Sequence, residues 1–157
     1  MKKQTWKIYG VAIGIPLAVG ALSGFLTRSG IDNLQNVQQS ALTPPEIVFP
    51  IVWTILYTLM GISLARVWMT EESMTRTRGL AVFLFQLIFN FFWSIFFFNM
   101  QAFVLSLLWI LGLWVLIGWM ILLFYRVDKA AGLLQIPYFL WVTFATYLTY
   151  QVWRLNG

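Results

Sequence analysis

Residues 43–61 read TPPEIVFPIVWTILYTLMG, and this stretch decides the fold. After Glu46 it is uncharged and strongly apolar, the composition of a segment that crosses a bilayer. Pro44 and Pro45 lack backbone N–H donors and suit the unbonded first turn of a helix, so a helix is predicted from Pro45 onward. Phe49, Trp53, Tyr57 and Gly61 recur every fourth residue and therefore share a face. That face is aromatic, with polar edges at the indole N–H and phenol O–H. A surface turned only to lipid tails is better served by Leu, Ile and Val. Two readings follow: a seam between helices, or the wall of a pocket for a flat apolar ligand.

The rest of the chain extends this picture. Of its 157 residues, 61% are hydrophobic and only 10% are charged, against about 25% charged in a soluble domain. Such a chain cannot cover a water-exposed surface. The fold class predicted is an all-α integral membrane protein, a five-transmembrane-helix bundle in one domain spanning residues 1–157. Helices are expected at about 6–26, 45–68, 80–98, 102–125 and 130–153, since each crossing needs about 20 apolar residues and backbone polar groups must be paired inside lipid. The start also resembles a cleaved signal peptide, with Lys2, Lys3 and Lys7 before an apolar run. At about 20 residues, however, the run exceeds the usual 7–15, and a retained helix is preferred. Within it Gly10, Gly14 and Ala18 are spaced for close helix approach, either to a second copy or within the chain, and Pro16 predicts a kink.

The connections differ in character. Residues 27–43 form a long polar link, a lid over the bundle mouth or a plain linker. Ile31, Leu34 and Val37 inside it predict a short amphipathic turn. Residues 69–78 read as a solvated loop, 99–101 as a tight link that makes its two helices antiparallel neighbours, and 126–129 as a short turn. Eight basic residues, Lys2, Lys3, Lys7, Arg66, Arg76, Arg78, Arg126 and Lys129, share one side, while Arg28 and Arg154 share the other. The positive-inside rule then places the N-terminus in the cytoplasm. Because these charges flank apolar segments and form no patch, nucleic acid is not an expected partner; membrane lipid is.

The third helix carries Gln86, Asn90 and Ser94 on one face, beside Trp93 and Phe97. Uncharged amides within lipid need partners, so this face turns inward. It either bonds neighbouring helices or presents Asn90 and Trp93 to a cavity. The fifth helix aligns Pro137, Trp141, Phe144, Ala145 and Leu148, a wall in which small Ala145 leaves room for a planar guest. Its Thr143, Thr146, Tyr147 and Thr149 suggest that much of this helix is buried. No charge falls in the middle of a span, which argues against a proton-coupled pump. The chain has no His and no Cys, so it has no thiol nucleophile and lacks the commonest metal ligands. No metal site and no cofactor are expected. At the C-terminal end, Leu148, Tyr150 and Arg154 match a proposed sterol-contact pattern. Tyr150, Trp153 and Arg154 equally suit an interfacial belt, the preferred reading.

Three blocks, taken in order, resemble the translocator protein (TspO/MBR) family, also called tryptophan-rich sensory proteins or peripheral-type benzodiazepine receptors. They are residues 44–61, PPxxVFPxVWTxLYxLMG; residues 86–98, with Asn90, Trp93, Ser94 and Phe97; and residues 133–156, LLQIPYFLWVTFATYLTYQVWRLN, similar to the family pattern PYxxWxxFAxxLNxxxW. The chain departs at Thr149, where the family usually has Asn, and in the first loop. There it has Asp32-Asn33-Leu34 and Gln39-Ser40-Ala41-Leu42 in place of the family's Trp-Tyr pair and Lys-Pro-x-Trp lead.

The resemblance implies a five-helix bundle in a bacterial cell membrane, often a homodimer, with a ligand cavity closed by the first loop. It implies binding of porphyrins such as protoporphyrin IX, or related planar hydrophobic molecules, as ligands rather than cofactors. Carried over by motif, the ligand-binding residues are Pro44, Phe49, Trp53, Tyr57, Asn90, Trp93, Trp141, Ala145 and Leu148. Without His or Cys to ligate haem iron, a metal-free ring held by stacking fits best. Receptor or sensor is the favoured function. A transporter is one alternative, although no inverted repeat is visible. A light-dependent porphyrin-degrading enzyme, with Trp53 and Trp141 as photochemical side chains, is the other.

Overall fold

The computed structural model describes residues 2–33 and 41–156. Among them there is no strand, and five helices or helix pairs are long and apolar enough to cross a membrane. The expected all-α, five-span architecture is therefore what the chain adopts. The elements are α1 (Lys2–Leu26), α2 (Arg28–Asn33), α3 (Val48–Trp68), α4 (Met74–Ser94) with a π-helical extension (Ile95–Asn99), α5 (Phe103–Val127), α6 (Lys129–Leu134) and α7 (Ile136–Asn156). Around the bundle α1 packs on α3, α3 on α6, α5 on both α6 and α7, α4 on α5, and α1 again on α4. Large apolar residues such as Ile55, Leu84, Leu108, Val115 and Leu140 face outward. A water-soluble surface does not tolerate so many together, but lipid does.

The boundaries move from the expected ones for local reasons. Pro44 and Pro45 are not in the helix. They precede it, and two short turns lead in, Val48 N–H to Pro45 O (3.0 Å) and Phe49 N–H to Glu46 O (3.2 Å). The proline in the first turn of α3 is Pro50, whose missing N–H has no partner to lose there. The loop expected at 69–78 is shorter, because Ser73 caps α4: its backbone is extended and its Oγ accepts from Arg76 N–H at 3.1 Å. At the other end of that span, π-helical bonding takes over, with Met100 N–H reaching Ile95 O at 3.1 Å. Leu34 and Val37 lie outside the described residues; Ile31 ends up in α2. Pro16 lies within α1, which runs unbroken through it.

The expected fifth helix is two. Asp128 ends α5 in an extended conformation and starts α6, its Oδ1 accepting from Ala130 N–H (3.0 Å) and Ala131 N–H (3.3 Å). Arg66 pairs with it, Nε 3.2 Å from Oδ2. Pro137 cannot donate back to Leu133, so the helix breaks at Gln135 and restarts. The break separates two packing jobs. α6 lies against α3, pinned by Ser63 Oγ donating to Ala131 O at 2.8 Å, whereas the main neighbour of α7 is α5. Space is left between α3 and α7 toward the far end of the bundle.

The last span is as buried as the α4 span and more so than the other three, but its threonines are not all turned inward. Thr143, Thr146 and Thr149 each donate to the carbonyl four residues back, at 2.7–2.8 Å. A hydroxyl satisfied within its own helix can face lipid, and Thr143 and Tyr147 do face outward.

Small residues behave selectively. Gly10, Gly14 and Ala18 point away from the chain's own helices. The close α1–α3 crossing is made instead at Gly61, where an added Cβ would strike Ile13 Cα, and at Gly20, where it would strike the Tyr57 ring.

Candidate ligand cavity

The space between α3 and α7 is a cavity of about 780 Å3 that also reaches α1, α2 and the end of α4. Its size falls in the range of small-molecule sites. Trp53 in its wall is stacked on Tyr57 (centroids 5.4 Å, 28°) and edge-on to Trp141 (6.4 Å, 88°) and Tyr138 (6.2 Å, 70°). Phe49 meets the edge of Trp141 at 5.8 Å. These ring contacts bridge α3 and α7 where the backbones have separated. The α4 side of the wall is Trp93 stacked on Phe97 at 5.2 Å, with Phe98 edge-on to both. Because the π-helical turn changes the register, the adjacent residues Phe97 and Phe98 both reach the cavity.

The π turn also anchors the outer corner. Asn99 Nδ2 donates to Leu26 O at 2.9 Å, and Gly30 of α2 lies so close to Phe98 O and Asn99 Oδ1 that no Cβ would fit. That contact draws α2 inward, with Thr27 and Ile31 completing the wall beside Thr43 and Pro44. Glu46 is the single charged residue among the described lining residues.

Eight of the nine residues expected at the site line this cavity: Pro44, Phe49, Trp53, Tyr57, Trp93, Trp141, Ala145 and Leu148. Asn90 does not. It lies behind Tyr57, buried in a hydrogen-bonded chain. Tyr57 Oη donates to Asn90 Oδ1 (2.8 Å), Asn90 Nδ2 donates to Tyr138 Oη (2.9 Å), and Tyr138 Oη donates to Gln86 Oε1 (2.7 Å). The side-chain amide of Asn90 is thus engaged between α3 and α7, and its role is to hold Tyr57. Sequence reading treated the Asn90 face as either inter-helix bonding or cavity lining; the geometry is the former for Asn90 and the latter for Trp93 and Ser94. Of the sterol pattern, Leu148 is buried in the wall while Tyr150 and Arg154 are exposed, so the three do not form one surface. Tyr150 and Trp153 pair at the outer end, ring centroids 5.8 Å apart.

Sequence reading missed the α1 side: Leu17, Gly20, Ser23 and Gly24. The only signal of Gly20, Ser23 and Gly24 was small size on a span read for helix–helix contact, and Leu17 carried none. Two wall residues, Trp93 and Trp141, have buried indole N–H groups with no acceptor among the described residues. An unpaired buried donor costs on the order of 1–3 kcal/mol, and both atoms are turned into the protein, away from the open volume.

Comparison with known proteins agrees with the motif blocks. The TspO/MBR family model matches residues 12–154. The chain is 39% identical over 158 residues to the tryptophan-rich protein TspO of Chlorobaculum tepidum, covering 99% of each. It is 35% identical over 145 residues to a tryptophan-rich sensory protein of Cereibacter sphaeroides (92% of this chain, 87% of the relative). To the human translocator protein it is 30% identical over 151 residues (92% and 89%). With five apolar helices and a family match over most of its length, the chain is a multi-pass membrane protein that belongs to the TspO/MBR family.

Proposed function

We propose that this protein is a membrane receptor for porphyrin-like tetrapyrroles, acting in the sensory or translocator capacity that its relatives' names describe. The observation that carries the reading is the wall of the cavity, where Trp53, Trp93 and Trp141 surround about 780 Å3 of largely uncharged space. Flat aromatic guests gain from stacking on indole rings beyond the area they bury. A ring without metal suits a chain that has neither His nor Cys. Ala145 supplies the clearance on α7.

Protoporphyrin fluorescence titrated against purified protein tests this. Ala145→Leu is expected to weaken binding at least tenfold while circular dichroism stays helical. If that folded variant binds as tightly as the parent, the ligand sits elsewhere. Light-dependent breakdown of the bound ring is a second reading, favoured by the contact of Trp53 with Trp141, two readily oxidised indoles. Trp53→Phe retains a stacking surface and removes one of them. Under illumination in air it is expected to bind the ring but to slow its loss, and equal loss in both proteins rules out a role for Trp53. The orientation we propose has the N-terminus in the cytoplasm, and the basic residues at its end of the bundle support it. Reporter fusions that locate the C-terminus in the cytoplasm would reverse this orientation.

A further inference from the structure

A second depression lies on the outer surface at the N-terminal end of the bundle and shares no lining residue with the aromatic cavity. It is a groove of about 480 Å3 between α1, α3 and α4. α1 supplies the exposed side chains Val11 and Ile15; across from them stand Leu64, Trp68 and Leu80, and Lys7 is the one charged residue in the wall. From Lys7 to Ile15 the helix rises about 12 Å. The hydrocarbon of one leaflet is about 15 Å deep, half of a 30 Å core. The groove is thus an apolar track about one leaflet long, with a cation at its outer end.

The charges around that end are unevenly committed. Arg66 is held by Asp128. Arg76 lies over the face of Trp68, 4.8 Å from the ring centroid, with Nη2 donating to Trp68 O at 2.9 Å. Lys7 has no ion pair among the described residues. Glu71 and Glu72 are in the α3–α4 connection and not in the groove wall. An apolar channel that ends at an unpaired ammonium and a guanidinium-capped indole complements an acyl chain attached to an anionic head.

We propose that this groove seats one acyl chain of an anionic phospholipid from the leaflet on the N-terminal side, with its phosphate against Lys7. Trp68 forms the opposite wall of the groove, and Arg76 lies over its ring, bonded to the Val67 and Trp68 carbonyls. The proposal does not depend on what the aromatic cavity binds.

Native mass spectrometry of the delipidated full chain tests it, with dioleoyl phosphatidylglycerol and dioleoyl phosphatidylcholine offered at equal concentration. The expected result is a single-lipid adduct favouring phosphatidylglycerol by about fivefold, the contribution of one cation at an anionic lipid surface. Lys7→Gln is expected to bring the ratio to about one while retaining the phosphatidylcholine adduct, and Lys7→Arg to restore the preference. Val11→Trp fills the track at a position that faces outward, so the fold tolerates it, and both adducts should fall. No preference in the parent, a preference that survives Lys7→Gln, or undiminished adducts in Val11→Trp would each overturn the proposal. A second copy of the chain is the competing occupant. The chain has no cysteine, so disulfide-linked dimers of Val11→Cys in phosphatidylglycerol vesicles would show a protein-covered groove and reject the lipid; absence of such dimers supports it.

Discussion

At the N-terminal end of the bundle Met60, Phe124 and Ala131 have no exposed surface, whereas at the other end Trp53, Trp93 and Trp141 stand around an open volume of about 780 Å3. Both ends bring α3, α4 and the last span together, and both use aromatic residues. Phe83 stacks on Phe124 at 6.0 Å in the closed half much as Trp93 stacks on Phe97 at 5.2 Å in the open one. The difference lies in the backbone. In the closed half Gly132 lets α6 lie against Tyr125 of α5, with an added Cβ only 2.7 Å from Tyr125 Cβ, and Ser63 ties α6 to α3. Beyond the break before Pro137 that tie ends, and the gap is spanned by side chains alone, the ring contacts and the Tyr57–Asn90–Tyr138 hydrogen bonds. The cavity therefore follows from a proline that divides one span into a packing segment and a diverging one. Residue size alone does not produce it.

Among single substitutions the largest effect is expected where backbones touch. Gly61→Ala forces a Cβ into Ile13 Cα and Ala12 O; with no flexible side chain to give way, it should cost about 3 kcal/mol. Denaturant titration in detergent micelles measures this, and a loss below about 1 kcal/mol would mean that the α1–α3 crossing adjusts freely. Next comes the polar chain at the floor of the cavity. Asn90→Leu leaves the hydroxyl of Tyr57 without its acceptor and that of Tyr138 without its donor, a destabilisation of about 2 kcal/mol. Tyr57→Phe should recover part of that loss in the double variant, which a double-mutant cycle reads as coupling.

Smaller effects sharpen the contrast. Gln101, between the π turn and α5, has φ 48°, a left-handed conformation that favours glycine. Gln101→Gly is expected to raise stability by about 1 kcal/mol in the same titration. Gly24 lies in the cavity wall, and a Cβ added there would meet nothing within 4 Å. Gly24→Ala should therefore leave stability unchanged or raise it by up to about 1 kcal/mol through helix propensity. A loss comparable to that of Gly61→Ala would show that the cavity wall is as tightly packed as the closed half.

The sequence by itself determined the membrane fold, the five spans and the family. Each rests on signals local to one segment: length of apolar run, flanking charge, and motifs such as VFPIVW and PYFLW. It also marked the aromatic faces of α3 and α7, because side chains four residues apart share a helix face whatever surrounds them. Tertiary structure alone decided what those faces meet. Asn90 and Trp93 are three residues apart on one helix, yet Asn90 is held between Tyr57 and Tyr138 while Trp93 borders open space. Gly61 packs against backbone and Gly24 against none, though both are glycines within a span. Periodicity gives the direction in which a side chain leaves its own helix. Whether a partner waits there depends on how neighbouring helices cross and where they break, and that is set by contacts between residues distant in the chain.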